Sequence, residues 1–195
     1  MADLTTLRRS PLAHLADLMA EASRSGTVVL SETAYAGMVS VRVDPASPAA
    51  AKVAVVLGAP LPVACGEVAS AGDHHVLWLG PDEWLVVTDA DPVGLADQLE
   101  AAVGEEPGLV LDVSANRTVL ELTGPQARAV LEKGCPVDLH PRAFCPGRAV
   151  ATTLARVPLI LWQTAESSYR LLPRSSFADY TGRWVLDAMQ EYTGR

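Results

Sequence analysis

The sequence predicts an α+β protein made of two pseudo-symmetric β-α-β-β-α repeats that are packed as one domain. Three observations support this fold class. The 195 residues suit one domain or one duplicated domain. The chain is 49% hydrophobic and 19% charged, which is enough apolar material for a sizeable core. The same order of strand and helix signals occurs twice, at an offset of about 80 residues, which is too long for a solenoid repeat.

The first element is a short helix within an N-terminal arm, predicted over residues 1–34. Ser10 can cap this helix, and Pro11 suits the first helical position. Gly26 ends the segment, and residues 28–30 form a short strand. The helix has one apolar stripe, made by Leu12, Leu15, Leu18 and Met19.

The first repeat is predicted over residues 35–110. Residues 38–43 alternate apolar and polar side chains, as a half-buried strand does. A helix follows over 48–57, and Gly58 terminates it. The tetrapeptide at 80–83, Gly-Pro-Asp-Glu, predicts a turn between two apolar strands, after which a second helix follows.

The second repeat is predicted over residues 111–195 and follows the same order. The stretch "GMVSVRVDPASPAAAKVAVVLGAPLPV" of the first repeat matches "RTVLELTGPQARAVLEKGCPVDL" of the second. The predicted equivalences are Val41 and Val43 with Leu120 and Leu122, Gly58 with Gly134, Leu77-Trp78 with Leu161-Trp162, and Trp84 with Tyr169.

Charge and composition exclude several classes of partner. The formal net charge is −8 and the basic residues are scattered, so a nucleic-acid partner is not expected. The longest apolar runs, such as 53–57 and 159–162, are too short to cross a bilayer, and the N-terminus lacks the apolar region of a signal peptide. Three cysteines, an odd number, argue against a disulfide framework. We therefore expect a cytoplasmic protein with reduced thiols and no membrane partner.

Motifs that hold nucleotides or activate a serine are absent from the sequence. There is no G-x-G-x-x-G, no P-loop and no G-x-S-x-G elbow. His74 and His75 are adjacent on a strand and point to opposite faces, so they are not expected to share a metal. Asp82 and Glu83 are neighbours in a turn, where carboxylates are usually solvated rather than paired across a substrate.

Three further groups have a structural and a functional interpretation. Cys135, His140 and Cys145, with Asp138, contain zinc-ligand types, but their spacing is not that of structural zinc sites, which favours a loop with a half-buried thiol. Asp112 and Arg117 form an ion pair or turn contacts, or else contact a partner subunit. Arg174, Ser175 and Ser176 either bind an anion or, in the interpretation we favour, include the N-cap of the last helix. The buried face of that helix would then hold Phe177, Tyr180, Trp184 and Leu186 or Met189. We predict no catalytic, cofactor-binding or metal-binding residue in this chain.

The second half resembles the folate-binding fold of the glycine-cleavage T protein. In "LDVSANRTVLELTGPQARAVLEKGCPVDLHPRAF" the family's D-x-S segment is matched by Asp112 and Ser114, and its G-P-x-A turn by Gly124, Pro125 and Ala127. The chain resembles gamma subunits of heterotetrameric sarcosine oxidase more closely. That resemblance covers "RRSPLAH", "LGPDEWLV", "KGCPVDLHPRAF", "LWQ" and "PRSSFADYTGRWVLDA", in this order, over most of the chain.

The resemblance implies a non-catalytic subunit that supports oxidative demethylation of sarcosine to glycine. It places FAD, FMN and NAD on the alpha and beta subunits, tetrahydrofolate on alpha and zinc on delta, so the expected partners are alpha, beta and delta. The T protein has acidic residues where this chain has the apolar segment 158–161, and an apolar strand cannot relay a proton. Two alternatives stay open: a stand-alone folate-binding aminomethyltransferase-like protein, and an iron–sulfur assembly module that uses Cys135 after Lys133-Gly134.

Overall fold

The computed structural model describes residues 8–193, and it contains ten strands and five α-helices within them. The strands are β1 (Val29–Thr33), β2 (Gly37–Val43), β3 (Val68–Ala71), β4 (His74–Gly80), β5 (Glu83–Thr88), β6 (Gly108–Asp112), β7 (Val119–Thr123), β8 (Arg148–Leu154), β9 (Val157–Ala165) and β10 (Ser168–Pro173). The helices are α1 (Ala16–Ala22), α2 (Pro48–Leu57), α3 (Pro92–Val103), α4 (Ala127–Glu132) and α5 (Ala178–Met189).

The strands form two five-stranded antiparallel sheets with the same topology. The N-sheet has the order β3-β4-β5-β2-β6, and the C-sheet has the order β8-β9-β10-β7-β1. In each sheet the outermost strand next to β2 or β7 comes from the other half of the chain. Strand β1 directly precedes β2 in the chain, yet it pairs with β7. Strand β6 directly precedes β7, yet it pairs with β2. The two halves therefore exchange one edge strand each.

The sheets pack face to face between two helical layers. Helices α1, α4 and α5 cover the C-sheet, and helices α2 and α3 cover the N-sheet, each over its own apolar cluster. A third cluster, here called the inner core, lies between the sheets and contains side chains from strands of both. Its buried members are Met38, Leu77, Leu85, Val87, Val119, Ala149, Ile160, Trp162 and Leu172. The order helix, sheet, sheet, helix buries both faces of each sheet.

The predicted α+β fold class and its duplication are confirmed by this topology. The structure adds to each repeat the strand that follows its first helix, β3 in the first half and β8 in the second, and the exchanged edge strand. Both added strands β3 and β8 lie at sheet edges. The division into an arm over 1–34 and repeats over 35–110 and 111–195 stays a prediction. Strand β6 spans the second of these boundaries.

Helix α2 begins and ends as its sequence predicts. Ser47 is the N-cap, and its hydroxyl oxygen accepts a hydrogen bond from the Ala50 amide at 3.3 Å. Gly58 follows the last turn with φ of +66°, a left-handed conformation that glycine adopts without a Cβ penalty. Local chemistry alone sets this element.

The first helix is capped differently from the prediction. The segment starts with a 3-10 turn over Ala13–Leu15, and Ser10 does not cap it. The Ser10 hydroxyl instead donates to Glu32 on β1 at 2.6 Å, and Glu32 accepts the Leu12 amide at 3.2 Å. A carboxylate distant in sequence thus satisfies the free amide at the start of the helix. Of the predicted stripe, Leu12, Leu15 and Met19 are buried, and Leu18 is half-exposed.

The predicted buried face of the last helix is wrong at two positions. Phe177 and Tyr180 are 42% and 52% exposed. The buried face of α5 is made mainly of small side chains, namely Ala178, Thr181, Gly182, Val185, Ala188 and Met189. A Cβ on Gly182 would lie 3.1 Å from the side chains of Leu12 and Leu15. The small face is therefore what lets the first helical segment approach α5.

The predicted equivalence of Leu77-Trp78 with Leu161-Trp162 is wrong by one residue. Leu77 belongs to the inner core, whereas Leu161 packs under the helices of the C-sheet. Trp162 is the inner-core residue of β9, so it corresponds to Leu77. Register shifts between Trp78 and Gly80 and between Ser168 and Tyr169 interrupt the two hairpins. A slip of one residue moves every side chain to the opposite face of a strand.

Candidate functional site

The D-x-S segment is a turn that closes the end of β6. Asp112 Oδ1 accepts hydrogen bonds from the Ser114 amide at 2.9 Å and from the Ser114 hydroxyl at 2.6 Å. Ser114 Oγ in turn accepts the Met38 amide at 2.9 Å. The motif therefore connects the exchanged strand β6 to β2. The residues that carry the resemblance to the T protein therefore have a structural role here.

Arg117 is held by a backbone carbonyl rather than by Asp112. Its Nη1 donates to the Leu172 carbonyl at 2.9 Å, and none of the ion pairs within residues 8–193 joins it to Asp112. Burial lowers the pKa of Arg117, Arg174 lowers it further, and the carboxylate of Glu83 offsets these effects only in part. The turn contacts predicted for Asp112 and Arg117 exist, but they are separate.

Strand β9 is apolar on both faces where the resemblance would require acidic chemistry. Leu159 and Leu161 pack under the helices, with exposures of 3% and 0%. Ile160 faces the other way and is buried in the inner core, and Pro158 is exposed. None of these side chains can accept or donate a proton.

The adjacent histidines have separate partners, as their alternation on β4 predicts. His74 Nδ1 lies 2.9 Å from the Thr88 hydroxyl, and His75 Nδ1 lies 2.8 Å from the Ser70 hydroxyl. The His75 ring packs on Trp162, with 4.9 Å between ring centroids. Burial lowers the pKa of His75, and the Arg170 charge lowers it further.

The cysteine-containing loop does not assemble metal ligands. Over residues 8–193, no three His, Cys, Asp or Glu side chains are close enough to hold a metal ion. Cys135 is half-buried, and burial raises the pKa of its thiol. His140 accepts the Arg142 amide, and its own amide donates to Asp138 Oδ1 at 3.0 Å. Cys145 is exposed. Hydrogen bonds among its own residues help to close this loop.

The carboxylates of the hairpin turn share one arginine. Arg42 Nη2 lies 3.5 Å from Asp82 Oδ2, and Arg42 Nε lies 3.9 Å from Glu83 Oε2. All three side chains are more than a third exposed. Long exposed ion pairs of this kind contribute little to stability, and they do not form an acid–base pair.

The predicted cap at Ser175 or Ser176 is wrong. A 3-10 turn over Ser175–Phe177 precedes α5, with no side-chain cap. Ser175 Oγ donates instead to the Ala115 carbonyl at 2.9 Å, which ties this turn to the segment after β6. Because the turn displaces the start of the helix to Ala178, the serine hydroxyls lie outside capping distance of the free amides of α5.

The structure brings together arginines that the sequence separates. Arg8, Arg9 and Arg117 line one cleft of about 240 Å³, together with Tyr35 and Ser114. Sequence motifs do not reveal this site, because Arg117 lies more than 100 residues from the other two arginines. The adjacent pair Arg8-Arg9 was the one signal that could have pointed to it.

The chain matches one protein family over most of its length. The model of the "Sarcosine oxidase, gamma subunit family" matches residues 42–191. The chain belongs to this gamma-subunit family. Two curated members illustrate the similarity. The sarcosine oxidase subunit gamma of an Arthrobacter species is 54% identical over 96% of this chain and 93% of its own length. That of Corynebacterium sp. (strain P-1) is 52% identical over the same shares.

Solved structures agree with the family assignment and with the fold. A chain of the heterotetrameric sarcosine oxidase from Corynebacterium sp. U-96, solved in complex with pyrrole 2-carboxylate, is 49% identical with a TM-score of 0.92. The alignment covers 97% of this gamma-subunit family member and 98% of that chain. The aminomethyltransferase T of the Bartonella henselae glycine cleavage system has a TM-score of 0.68 at 15% identity, over 92% of this chain and 57% of its own. This second likeness confirms the fold shared with the T protein.

Proposed function

We propose that this chain is a non-catalytic structural subunit of a heterotetrameric sarcosine oxidase. In this proposal its partners are the alpha, beta and delta subunits, which oxidatively demethylate sarcosine to glycine. The partners, rather than this chain, carry FAD, FMN, NAD, tetrahydrofolate and zinc. Membership of the gamma-subunit family and the near-complete alignment with a chain of the Corynebacterium enzyme support the assembly.

The observation that carries the non-catalytic role is the filling of the space between the two sheets. Ile160 and Trp162 of β9 are 2% and 4% exposed there, and Met38, Leu77 and Leu172 around them are fully buried. A catalytic site needs an open volume with a proton-transferring group beside it. The inner core has neither an open volume nor a proton-transferring group at these positions, and it provides apolar contact between the sheets instead.

Tetrahydrofolate, the ligand that the fold resemblance implies, does not fit the residues at this position. Aminomethyl transfer on folate calls for an acidic side chain beside the pterin, and β9 offers Pro158, Leu159, Ile160 and Leu161. These side chains provide neither a proton acceptor nor a partner for the ring nitrogens. The stand-alone folate-binding alternative is therefore not favoured.

We propose a location in the cytoplasm, and the thiols agree with it. All three cysteines are free, and Cys65 and Cys145 are exposed, which suits a reducing compartment. No helix in the described part of the chain is long and apolar enough to span a membrane.

Co-expression with the candidate partner subunits tests the proposal. An affinity tag on a flavin-bearing subunit should capture this chain in a fixed molar ratio, and the complex should consume oxygen when sarcosine is added. The chain purified alone should be colourless and should not consume oxygen with sarcosine, with or without tetrahydrofolate. Micromolar binding of a reduced folate to the isolated chain, or turnover by it, would contradict the non-catalytic role.

A matched variant separates the iron–sulfur alternative from this proposal. Cys135→Ala removes the only cysteine of the Lys-Gly-Cys segment, and Cys145→Ala removes an exposed thiol outside it. Both variants should assemble with the partners and should show the sarcosine-dependent oxygen consumption of the wild type. Loss of activity in Cys135→Ala alone, with normal assembly, would favour the iron–sulfur alternative.

A further inference from the structure

A cleft at the junction of the N-terminal segment and the C-sheet concentrates positive charge on an acidic protein. The arginine cleft is defined here by Arg8, Arg9 and Arg117, which line it, and by Arg174, which forms an isolated β-bridge with Arg117. The whole chain has 15 basic and 23 acidic residues. A local excess of arginine is therefore opposite in sign to the overall charge.

The arginines of the cleft form no ion pair within the described residues, although the Glu83 carboxylate acts on Arg117 from a distance. None of the ion pairs over residues 8–193 includes Arg8, Arg9, Arg117 or Arg174. Glu32, a carboxylate beside the cleft, already accepts hydrogen bonds from Ser10, Leu12 and Thr118. The acceptors near the cleft are thus used by the fold itself.

Most hydroxyl groups of the cleft are already bonded within the fold, whereas its guanidinium groups keep free N–H donors. Ser114 bonds with Asp112 and Met38, and Ser175 donates to the Ala115 carbonyl. Arg117 is half-buried and uses one donor on the Leu172 carbonyl. Because the Glu83 carboxylate compensates this half-buried guanidinium only in part, a carboxylate from a partner would stabilise it further.

Tyr35 holds Arg8 at the rim of the cleft. The Tyr35 hydroxyl donates to the Arg8 carbonyl at 2.8 Å, and the Arg8 guanidinium lies 4.4 Å from the centre of the Tyr35 ring. Tyr35 has φ of +63°, a left-handed conformation that is unfavourable for a residue with a Cβ. The segment is therefore oriented with its charges toward the cleft at a conformational cost.

We propose that the arginine cleft docks an acidic segment of another subunit of the sarcosine oxidase complex. Carboxylates of that segment would pair with Arg8 and Arg9 at the rim and with Arg117 at the floor, since guanidinium and carboxylate match in geometry. The rest of this chain is acidic overall and repels an acidic partner segment. The cleft therefore also determines which face of this chain the segment binds. The inference rests on the proposed function.

Charge reversal within the co-expressed complex tests the cleft. The double variant Arg8→Glu/Arg9→Glu and the single variant Arg174→Glu change exposed side chains of the cleft. The control, Lys52→Glu/Arg142→Glu, makes the same charge change as the double variant at exposed positions elsewhere. The measurement is the molar ratio of this chain to a tagged flavin-bearing subunit, from low salt to about 0.5 M NaCl, which screens exposed charges. Thermal melting of each purified variant confirms that it folds.

The cleft variants should lower the ratio at least tenfold at about 0.15 M NaCl, while the control stays within about twofold of the wild type. Wild-type ratios from the folded cleft variants at every salt concentration would overturn the cleft and leave the proposed function intact. Failure of the wild type to co-purify would contradict both. Calorimetric binding of succinate to the isolated chain, with unchanged assembly of the cleft variants, would show a small-anion site and overturn subunit docking.

Discussion

Trp162 fills the space between the sheets at one end of the inner core. Its side chain is 4% exposed, and the Arg170 guanidinium lies 5.1 Å from the centre of its ring. The His75 ring packs on it from the N-sheet. The indole Nε1 is buried without a hydrogen-bond partner among residues 8–193. Its contribution is therefore apolar area and shape rather than hydrogen bonding.

Truncation of Trp162 should be strongly destabilising. Trp162→Ala should lower the free energy of unfolding by about 3–5 kcal/mol, because it leaves a cavity between two sheets. Trp162→Phe keeps most of the ring and removes the unpartnered N–H, so it should cost less than about 1.5 kcal/mol. Urea denaturation of the isolated chain measures both. Equal losses in the two variants would mean that the indole nitrogen, rather than the ring volume, is what matters.

The imidazole of His75 makes stability depend on pH. Burial, the largest cause, and the Arg170 charge lower the pKa of His75 below 6.5, while Asp89 opposes them. The unfolded chain therefore binds a proton on this residue at a higher pH than the folded chain does. Stability contributed by the neutral ring is present above pH 6.5 and is lost as the pH falls toward the folded pKa.

The midpoint of urea unfolding should fall as the pH is lowered from about 7.5 to about 5.5. His75→Gln cannot be protonated and can still bond with Ser70, so its midpoint should fall less over the same range. An NMR titration of the folded wild type should give a His75 midpoint below 6.5. A midpoint above that value, or equal pH dependence in both proteins, would contradict this account.

At the scale of elements, Gly124 allows β1 to join the sheet of the other half. This glycine follows β7 with φ of +109°, and a Cβ there would lie 2.7 Å from the Thr27 carbonyl oxygen. The amide of Gln126 donates to that same carbonyl at 3.0 Å. The close approach of the two backbones thus requires the residue without a side chain.

Gly124→Ala should therefore lower the free energy of unfolding by more than about 3 kcal/mol, since both the conformation and the contact are unfavourable. Gly26→Ala is the matched control. Gly26 also has positive φ, at +71°, but a Cβ on it would meet no neighbouring atom within 4 Å. This control should lose only about 1–2 kcal/mol. Urea denaturation compares the two variants, and similar losses would show that backbone contact at Gly124 is not limiting.

At the scale of the whole molecule, the two exchanged edge strands differ in polarity. Leu109 and Leu111 of β6 are 50% and 53% exposed. They pair with Arg42 and Ser40 of β2, and the equivalent positions on β1 are Ser31 and Thr33. A sheet edge with free backbone groups and exposed leucines promotes self-association.

Leu109→Ser/Leu111→Thr, which copies the polar edge, should therefore reduce aggregation of the isolated chain. Light scattering after size-exclusion chromatography should show a larger monomer fraction at the same melting temperature. The control variant Val55→Ser/Val93→Ser removes exposed valines from helices, at 81% and 56% exposure, and should leave the monomer fraction unchanged. An equal gain from the control would mean that overall hydrophobicity, rather than the sheet edge, causes association.

The sequence by itself determined the elements whose signals are local, and the duplication that relates them. Ser47, Pro48 and Gly58 bound α2 because capping and left-handed backbone depend on immediate neighbours. Alternation over residues 38–43 identified β2, and the order of strands and helices in the two halves identified the fold class. The apolar character of β9, and with it the expectation of no acid–base chemistry there, was also visible in the sequence.

Only the tertiary structure decided the features that join residues distant along the chain. The exchange of β1 and β6 depends on pairing between segments whose sequences do not indicate which strand they pair with. The one-residue shift of Trp162 depends on irregular pairing in the hairpins. Glu32 replaces Ser10 at the first helix because its carboxylate is brought there by β1. Arg8 and Arg117 likewise line one cleft only after folding. Their combined field is not visible in the sequence, because electrostatic fields depend on distance in space and not on separation along the chain.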